Sequence, residues 1–243
     1  MTQDEKSPFV RWTAFLQKTE SSNTPTLNRF AARYQLSVKF KGIDAKLSAK
    51  TLDGYSKIFH VFLAYSAFET LLKGIEELSK REVDPMSVEL DIDIDKHNYP
   101  MIDDQIADSL RKIKGLSDVL LEYADKDIRI VRLKAFFSLP LNQKELDKPN
   151  FLRHQKELTL PNNLLVIASS IRNVVAHGQL SAYGAKAVSV KNGRTLEQLA
   201  KLVEKCSLEI FSSYVDLLEI KYGHMRYESN STAERMLLGD TSQ

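Results

Sequence analysis

The chain has 243 residues, of which 43% are hydrophobic and 27% charged, a composition that suits one folded domain with additional segments. Lys and Arg number 34 against 32 Asp and Glu, so the net charge of +2 excludes a global attraction to nucleic acid or to an anionic membrane. Any basic surface must be local. The single cysteine, Cys206, excludes an internal disulfide and a cysteine-rich metal site.

The start of the chain, MTQDEKSPFV, lacks the basic and then apolar pattern of a secretion signal. No apolar run approaches the ~18 residues that a membrane helix needs. Together with the lone thiol, these features predict a soluble protein of the cytoplasm with no membrane contact.

Residues 1–50 are predicted to form a partly ordered N-terminal extension. Val10, Trp12 and Phe15 favour a short amphipathic helix that docks on the body, and a mobile arm is the alternative. Apolar and polar residues alternate over 36–40, which predicts a short strand or extended segment.

Two long helical patterns frame the predicted body of the domain, residues 51–223. The first covers residues 52–81, and the second covers 196–222, where Gly223 ends it and leaves 224–243 as a tail. In the first, apolar residues recur at three- and four-residue spacing, as a buried face requires. Its predicted inward residues are Tyr55, Phe59, Phe62, Leu63, Phe68, Leu71, Leu72 and Ile75.

Shorter helical patterns lie between these two. Helices are predicted over 102–124, over 128–137 and over 162–177. For the last of these, Thr159 is a candidate N-cap and Gly178 a well-placed C-terminal stop.

The connection over 179–194 is predicted to be a loop with a small hairpin at Asn192 and Gly193. The elements together predict an all-α fold, an up-and-down bundle of four to five long helices with irregular connections.

The acidic segment 91–95 places Asp91, Asp93 and Asp95 at the opening spacing of a calcium loop. Lys96 stands where that loop needs Gly, and Ile102 stands where it needs the closing Glu. A solvated edge or loop is therefore the favoured interpretation.

The stretch that carries chemistry closes the helix predicted over 162–177. Arg172, Asn173 and His177 stand within a turn and a half, and Gly178 follows. Asn173 and His177 are four residues apart and share a helix face. Arg172 and His177 are about 140° apart around the axis. The length of the Arg side chain and a loosened last turn can still bring their head groups together.

These side chains suit a metal-independent attack on a phosphodiester. The forked donors of Arg match phosphate oxygens, His exchanges a proton near neutral pH, and Asn can orient the His or donate to the phosphate. RNA carries its own nucleophile, the 2′-hydroxyl, so such a site needs a proton acceptor, a proton donor and a cation. No metal or cofactor is predicted, because the other histidines show no paired metal spacing: His60, His97, His154 and His224.

A structural role is the alternative for this cluster. Polar and basic side chains are common at helix C-termini, where they satisfy terminal carbonyl groups and interact favourably with the helix dipole.

The pattern Arg172-Asn173-x-x-x-His177-Gly178, at the end of the penultimate helix of an all-helical chain, resembles the signature of HEPN domains (higher eukaryotes and prokaryotes nucleotide-binding). That family's motif is Arg, four to six residues and then His, often with a polar residue after the Arg. The resemblance covers residues 50–223.

The resemblance implies a metal-independent endoribonuclease in a toxin–antitoxin or phage-defence role, acting as a homodimer whose two motifs face each other. His177 would be the general acid or base, Arg172 would stabilise the scissile phosphate, and Asn173 would position one or both. An antitoxin or another protein partner is also implied. Some HEPN proteins are instead non-catalytic modules that bind RNA or a partner protein, and this is the alternative function.

Three further features are open to two interpretations each. Glu69 is either a partner for Arg172 or a half-exposed boundary residue, and Tyr183 either stacks on a base or packs locally. A set of basic residues either lines an RNA path or belongs to solvated helix faces: Arg111, Lys112, Lys114, Arg129, Arg132 and Lys134.

Overall fold

The computed structural model describes residues 7–19, 25–80, 101–124, 129–143, 162–178, 180–181, 187 and 189–237. Within these ranges the chain forms eight helices and no strand, which confirms the all-α class. The helices are α1 (Pro8–Thr19), α2 (Pro25–Val38), α3 (Ala49–Lys80), α4 (Asp104–Arg111), α5 (Leu116–Ala124), α6 (Arg129–Phe137), α7 (Leu164–Ala176) and α8 (Val190–Leu237).

Helix length differs from the prediction of four to five long helices. Only α3, with 32 residues, and α8, with 48, are long among the described helices, and the others have 14 residues or fewer. The calcium-like segment 91–95, Thr159 and Tyr183 lie outside the described residues.

Helices α3 and α8 pack against each other and contribute to both hydrophobic clusters that the described residues form. The larger cluster joins them to α4, α5, α6 and α7, through residues such as Ile58, Leu110, Leu116, Leu133, Ile167 and Val203. The smaller cluster joins them to α1 and α2, and it is rich in aromatic side chains: Trp12, Phe30, Tyr34, Phe211 and Tyr214. The N-terminal 50 residues thus supply part of a core.

The docked helix expected near the N-terminus is α1. Trp12 is 3% exposed and its ring stacks on Phe15 at 5.8 Å, while Arg11 donates to Asp216 and Glu219 of α8. Val10, predicted to share the docking face, is 53% exposed and therefore does not.

The strand predicted over 36–40 is wrong, because residues up to Val38 belong to α2. The buried residues of α2 recur at helical spacing and end in Phe30, Tyr34 and Ser37, whereas Leu36 and Val38 are exposed. The alternation of apolar and polar residues over 36–40 therefore reflects exposed apolar side chains at the end of a helix, not a strand.

The hairpin predicted at Asn192 and Gly193 is also wrong, since both residues lie in the first turns of α8. A Cβ on Gly193 would stand 3.0 Å from the carbonyl oxygen of Ala187, so the glycine permits a close approach of two backbone segments. The predicted end at Gly223 is wrong as well, because α8 continues to Leu237.

The helix predicted over 102–124 is two helices, α4 and α5, separated at Gly115. Gly115 has φ +83°, a left-handed conformation that costs a residue with a side chain about 1–2 kcal/mol. The break lets α5 turn back over α6 and α7, and this places Tyr123 beside the end of α7.

The predicted inward face of α3 is only partly correct. Phe68, Leu71 and Ile75 are buried, but Phe59 is 38% exposed and Phe62 is half-buried. The helix instead buries smaller side chains: Ile58, Val61, Ala64 and Ala67.

One described helix segment, Ala49–Glu77, is long and apolar enough to cross a membrane by length and composition, since an 18-residue window within it has a mean hydropathy of 1.3. The expectation of no membrane-length apolar segment therefore does not hold by this measure. The central helix of a folded core meets the same criterion, and half of the window is buried within the protein.

We expect Trp12→Ala to lower the free energy of unfolding by about 3 kcal/mol, because the change leaves a cavity among the aromatic rings of the smaller cluster. Val10→Ala on the same helix is the control and should change it by less than about 0.5 kcal/mol. Urea denaturation followed by circular dichroism measures both values. Equal effects would show that α1 does not dock as described.

Acid stability depends in part on Glu197, which joins α8 to α3. Lys57 of α3 lies 2.8 Å away and Lys201 lies 2.9 Å away, and these hydrogen bonds, that from Lys57 foremost, lower the pKa of Glu197 from 4.5 to about 2. A carboxylate with a lowered folded-state pKa stabilises the protein above pH 4.5, and this contribution is lost as the pH falls toward 2.

We therefore expect Glu197→Gln to reduce the loss of stability between pH 5 and pH 2, and to cost up to about 1 kcal/mol at neutral pH because the pair is partly exposed. Glu209→Gln, in an exposed pair with Lys205 at 3.7 Å, is the control. Thermal unfolding across this pH range is the measurement. Parallel curves of stability against pH for the wild type and Glu197→Gln would contradict the lowered pKa of Glu197.

Candidate functional site

Helix α7 begins and ends with capping interactions. The N-cap is Asn163, in place of the predicted Thr159, and its side-chain oxygen accepts hydrogen bonds from the backbone N–H groups of Leu165 and Val166. His177 is the C-cap, and Gly178 follows with φ +68°, so the predicted stop at Gly178 is confirmed. The helix between them buries most of its apolar residues, and this fixes which side of its last turns faces solvent.

Arg172 is held by two hydrogen bonds near the surface. Its Nη2 donates to Oε2 of Glu69 at 2.5 Å, and its Nη1 donates to Oδ1 of Asn173 at 2.8 Å. Of the two interpretations of Glu69, the structure shows the pair with Arg172. The other oxygen of Glu69 lies 3.6 Å from Nζ of Lys73. Arg172 and Glu69 are each about 30% exposed, so solvent reaches the pair.

His177 lies exposed at the end of the helix, and its ring is parallel to that of Tyr123 on α5. The ring centroids are 5.9 Å apart and the planes differ by 13°. Its backbone N–H donates to the carbonyl of Asn173 at 3.1 Å, and the N–H of Gly178 donates to the carbonyl of Val175 at 2.9 Å. The imidazole itself therefore remains accessible from solvent.

The three motif residues thus have different supports. Arg172 is bound to α3 and His177 is stacked on α5, while Asn173 contacts Arg172 within α7. Their shared position at one exposed helix end follows from the sequence. The contacts with Tyr123 and Glu69 do not follow from the sequence, because these residues lie about 50 and 100 positions away along the chain.

Of the basic residues that were candidates for an RNA path, Arg111 has a structural role. Its Nε donates to the backbone carbonyl of Phe136 at 2.6 Å, its Nη2 donates to Asn162 at 2.5 Å, and its guanidinium lies 4.7 Å from the centre of the Phe136 ring. These contacts fasten α4 to α6 and to the start of α7. Lys112 and Lys114 are exposed, and the side chain of Arg129 lies outside the described part of the chain.

A second polar cluster is buried between α2, α3 and α8, and sequence reasoning missed it. One oxygen of Glu204 accepts from Ser37 at 2.5 Å and lies 2.8 Å from Nε2 of His60. Burial and the charge of Glu204 raise the pKa of the nearby Tyr34. The Ser37 hydroxyl bonds the carboxylate and not the imidazole, so this is not a nucleophile–histidine–acid relay. Within the described residues, no three His, Cys, Asp or Glu side chains group as a metal site requires.

Comparison with known protein families, curated proteins and solved structures finds no match for this chain. The resemblance to HEPN domains therefore stays a prediction from the motif and the helical context.

We expect Tyr123→Ala to move the ring-proton resonances of His177 downfield, since a stacked aromatic ring shields the protons above its face. Tyr123→Phe retains the ring and should leave these resonances in place. Proton NMR of the imidazole signals, assigned with His177→Gln, is the measurement. Identical spectra for Tyr123→Ala and the wild type would show that the rings are not stacked in solution.

Proposed function

We propose that the chain is a metal-independent endoribonuclease of the HEPN type, located in the cytoplasm and acting in a toxin–antitoxin or phage-defence role. The observation that carries the proposal is the end of α7, where an accessible His177 imidazole and an oriented Arg172 guanidinium lie within the last turns of one helix. An antitoxin or another protein partner would control such an activity.

In the proposed reaction, the 2′-hydroxyl attacks the adjacent phosphorus. The new 2′-O–P bond forms and the P–O5′ bond breaks, which yields a 2′,3′-cyclic phosphate and a 5′-hydroxyl end. His177 accepts the proton of the 2′-hydroxyl or donates a proton to the leaving 5′-oxygen. Arg172 stabilises the charge that develops on the phosphate oxygens.

The contacts of Arg172 support this role. Among the described residues, Glu69 and Asn173 engage two of its five N–H donors, so the guanidinium is oriented while other donors remain for a phosphate oxygen. Orientation before substrate binding reduces the entropy lost in the transition state.

One His177 cannot act as base and acid in the same step. We therefore propose a homodimer in which a second motif supplies the other proton-transfer group. This arrangement places a His177 on each side of the scissile phosphate.

The second candidate function is a non-catalytic module that binds RNA or a partner protein. It is favoured by the separate supports of Arg172 and His177 on α3 and α5, which hold the two head groups independently. In that case His177 would serve as a cap and a surface residue.

We expect the wild type to cleave a mixed RNA pool with EDTA present, and His177→Ala to lose at least about 100-fold in rate, as removal of a general acid or base does. Arg172→Lys should also lose activity, because it keeps the charge but not the forked donors. Lys205→Ala, on the exposed side of α8, should cleave like the wild type. Gel electrophoresis with end-group analysis is the measurement. Unchanged cutting by His177→Ala, or no cutting by folded and dimeric wild type, would exclude this nuclease and favour the binding module.

A further inference from the structure

The side of α3 that faces solvent carries one continuous row of residues, here called the α3 track: Tyr55, Phe59, Phe62, Ser66, Glu69 and Lys73. They alternate at four- and three-residue spacing, so they lie along one face of the helix. None is fully buried, and the first and last are about 27 Å apart at ~1.5 Å per residue.

The first half of the α3 track is aromatic. Phe59 and Phe62 contact each other, with ring centroids 6.1 Å apart and planes inclined by 56°. Neither belongs to the two hydrophobic clusters, and Phe59 is exposed. Within the described part of the chain, these rings therefore add no packing to either cluster, and Phe59 presents an accessible π surface.

The second half of the α3 track, Ser66, Glu69 and Lys73, is polar and reaches the motif. Arg172 of α7 bonds Glu69, and Arg33 of α2 donates to the hydroxyl of Thr70 at 2.6 Å. Glu69 and Thr70 are consecutive, so two guanidinium groups from different helices flank α3 within one turn. With Lys73, three cationic side chains from three helices lie along this part of α3, and two of them, Arg172 and Lys73, pair with Glu69.

We propose that the α3 track, with Arg33 and Arg172 beside it, binds single-stranded RNA and leads it to the end of α7. The proposal rests on the proposed function, and it specifies the substrate class and the path. Proteins that bind single strands combine cations that follow the phosphates with aromatic side chains on which bases stack. Bases within a duplex are stacked on each other, so rings such as Phe59 have no access to their faces.

A second copy of this chain is the competing occupant of the surface. The centres of protein interfaces are depleted of charged residues, lysine and glutamate in particular. Two of the six residues of the α3 track, Glu69 and Lys73, are charged, and Arg33 and Arg172 add two guanidinium groups beside it, which favours a phosphate-bearing ligand.

The test measures RNA binding separately from cleavage. The full chain carrying His177→Ala is titrated into a 12-nucleotide fluorescein-labelled RNA of mixed sequence, and into its duplex, with fluorescence anisotropy as the readout. We expect the single strand to bind more tightly than the duplex. Phe59→Ala should weaken single-strand binding about tenfold, as loss of one stacked base does. Lys73→Ala should weaken it several-fold and reduce the dependence of log K on log salt by about one.

Matched controls exist for both variants. Lys205 is exposed and pairs with a glutamate four residues away, as Lys73 does, and Leu36 is an exposed apolar residue of α2. Lys205→Ala and Leu36→Ala should bind like the parent protein. All variants must retain the circular dichroism spectrum and the thermal midpoint of the parent.

Two outcomes overturn the proposal. One is RNA binding by Phe59→Ala and Lys73→Ala equal to that of the controls. The other is conversion of a dimer to a monomer by Phe59→Ala, seen by light scattering with RNA affinity unchanged, which would assign the surface to a second copy. If the variants show the expected binding pattern but the wild type cuts no RNA, the α3 track remains an RNA-binding surface. That result would exclude only the proposed nuclease activity.

Discussion

The structure depends on the burial of α3 by three partners. Helix α8 packs along it, α2 covers its C-terminal half, and α7 lies on a further side, so both hydrophobic clusters include α3 residues. Removal of apolar surface from water is the main favourable term in folding, and α3 takes part in this burial on both sides of the molecule's core. A helix enclosed in this way has one narrow side for solvent. That side carries Phe59 and Lys73, which among the described residues join neither hydrophobic cluster, beside the groups that hold Arg172.

The pair between Glu69 and Arg172 has two opposing effects on a phosphate site. The carboxylate offsets part of the charge that would attract an anion, and it also removes the rotational freedom of a long side chain. Orientation gives the larger benefit where a planar guanidinium must meet phosphate oxygens at a defined position. Lys73, 3.6 Å from the other oxygen of Glu69, restores positive charge at the same place. Partial exposure limits both effects, because water screens a pair at the surface.

Local sequence information was sufficient for the helical class, for α3 and α6, and for the end of α7 at Gly178, because spacing and capping are properties of neighbouring residues. It failed where a distant contact decided the outcome. Gly193 resembles a turn residue, yet it allows α8 to pass close to Ala187. Phe59 resembles a core residue, yet the small side chains Ala64 and Ala67 allow α3 to approach its partners and leave Phe59 outside. The sequence around Tyr123 does not indicate its contact with His177, since that contact depends on the break at Gly115.

The same distinction applies to the arginines. Arg111 and Arg172 both look like surface cations in the sequence, but the partners of Arg111 are a backbone carbonyl, an amide and an aromatic ring, which are the contacts of a structural residue. The partners of Arg172 are the Glu69 carboxylate of α3 and the Asn173 amide of α7, and the same helix ends at the accessible imidazole of His177. In the proposed reaction one such end supplies one proton-transfer group and one cation, while attack by a 2′-hydroxyl with loss of the 5′-oxygen requires a proton acceptor and a proton donor. Glu69 is engaged by Arg172 and Lys73, so it is poorly placed for the second role. The second group would have to come from another motif, and a dimer of this chain is the simplest source.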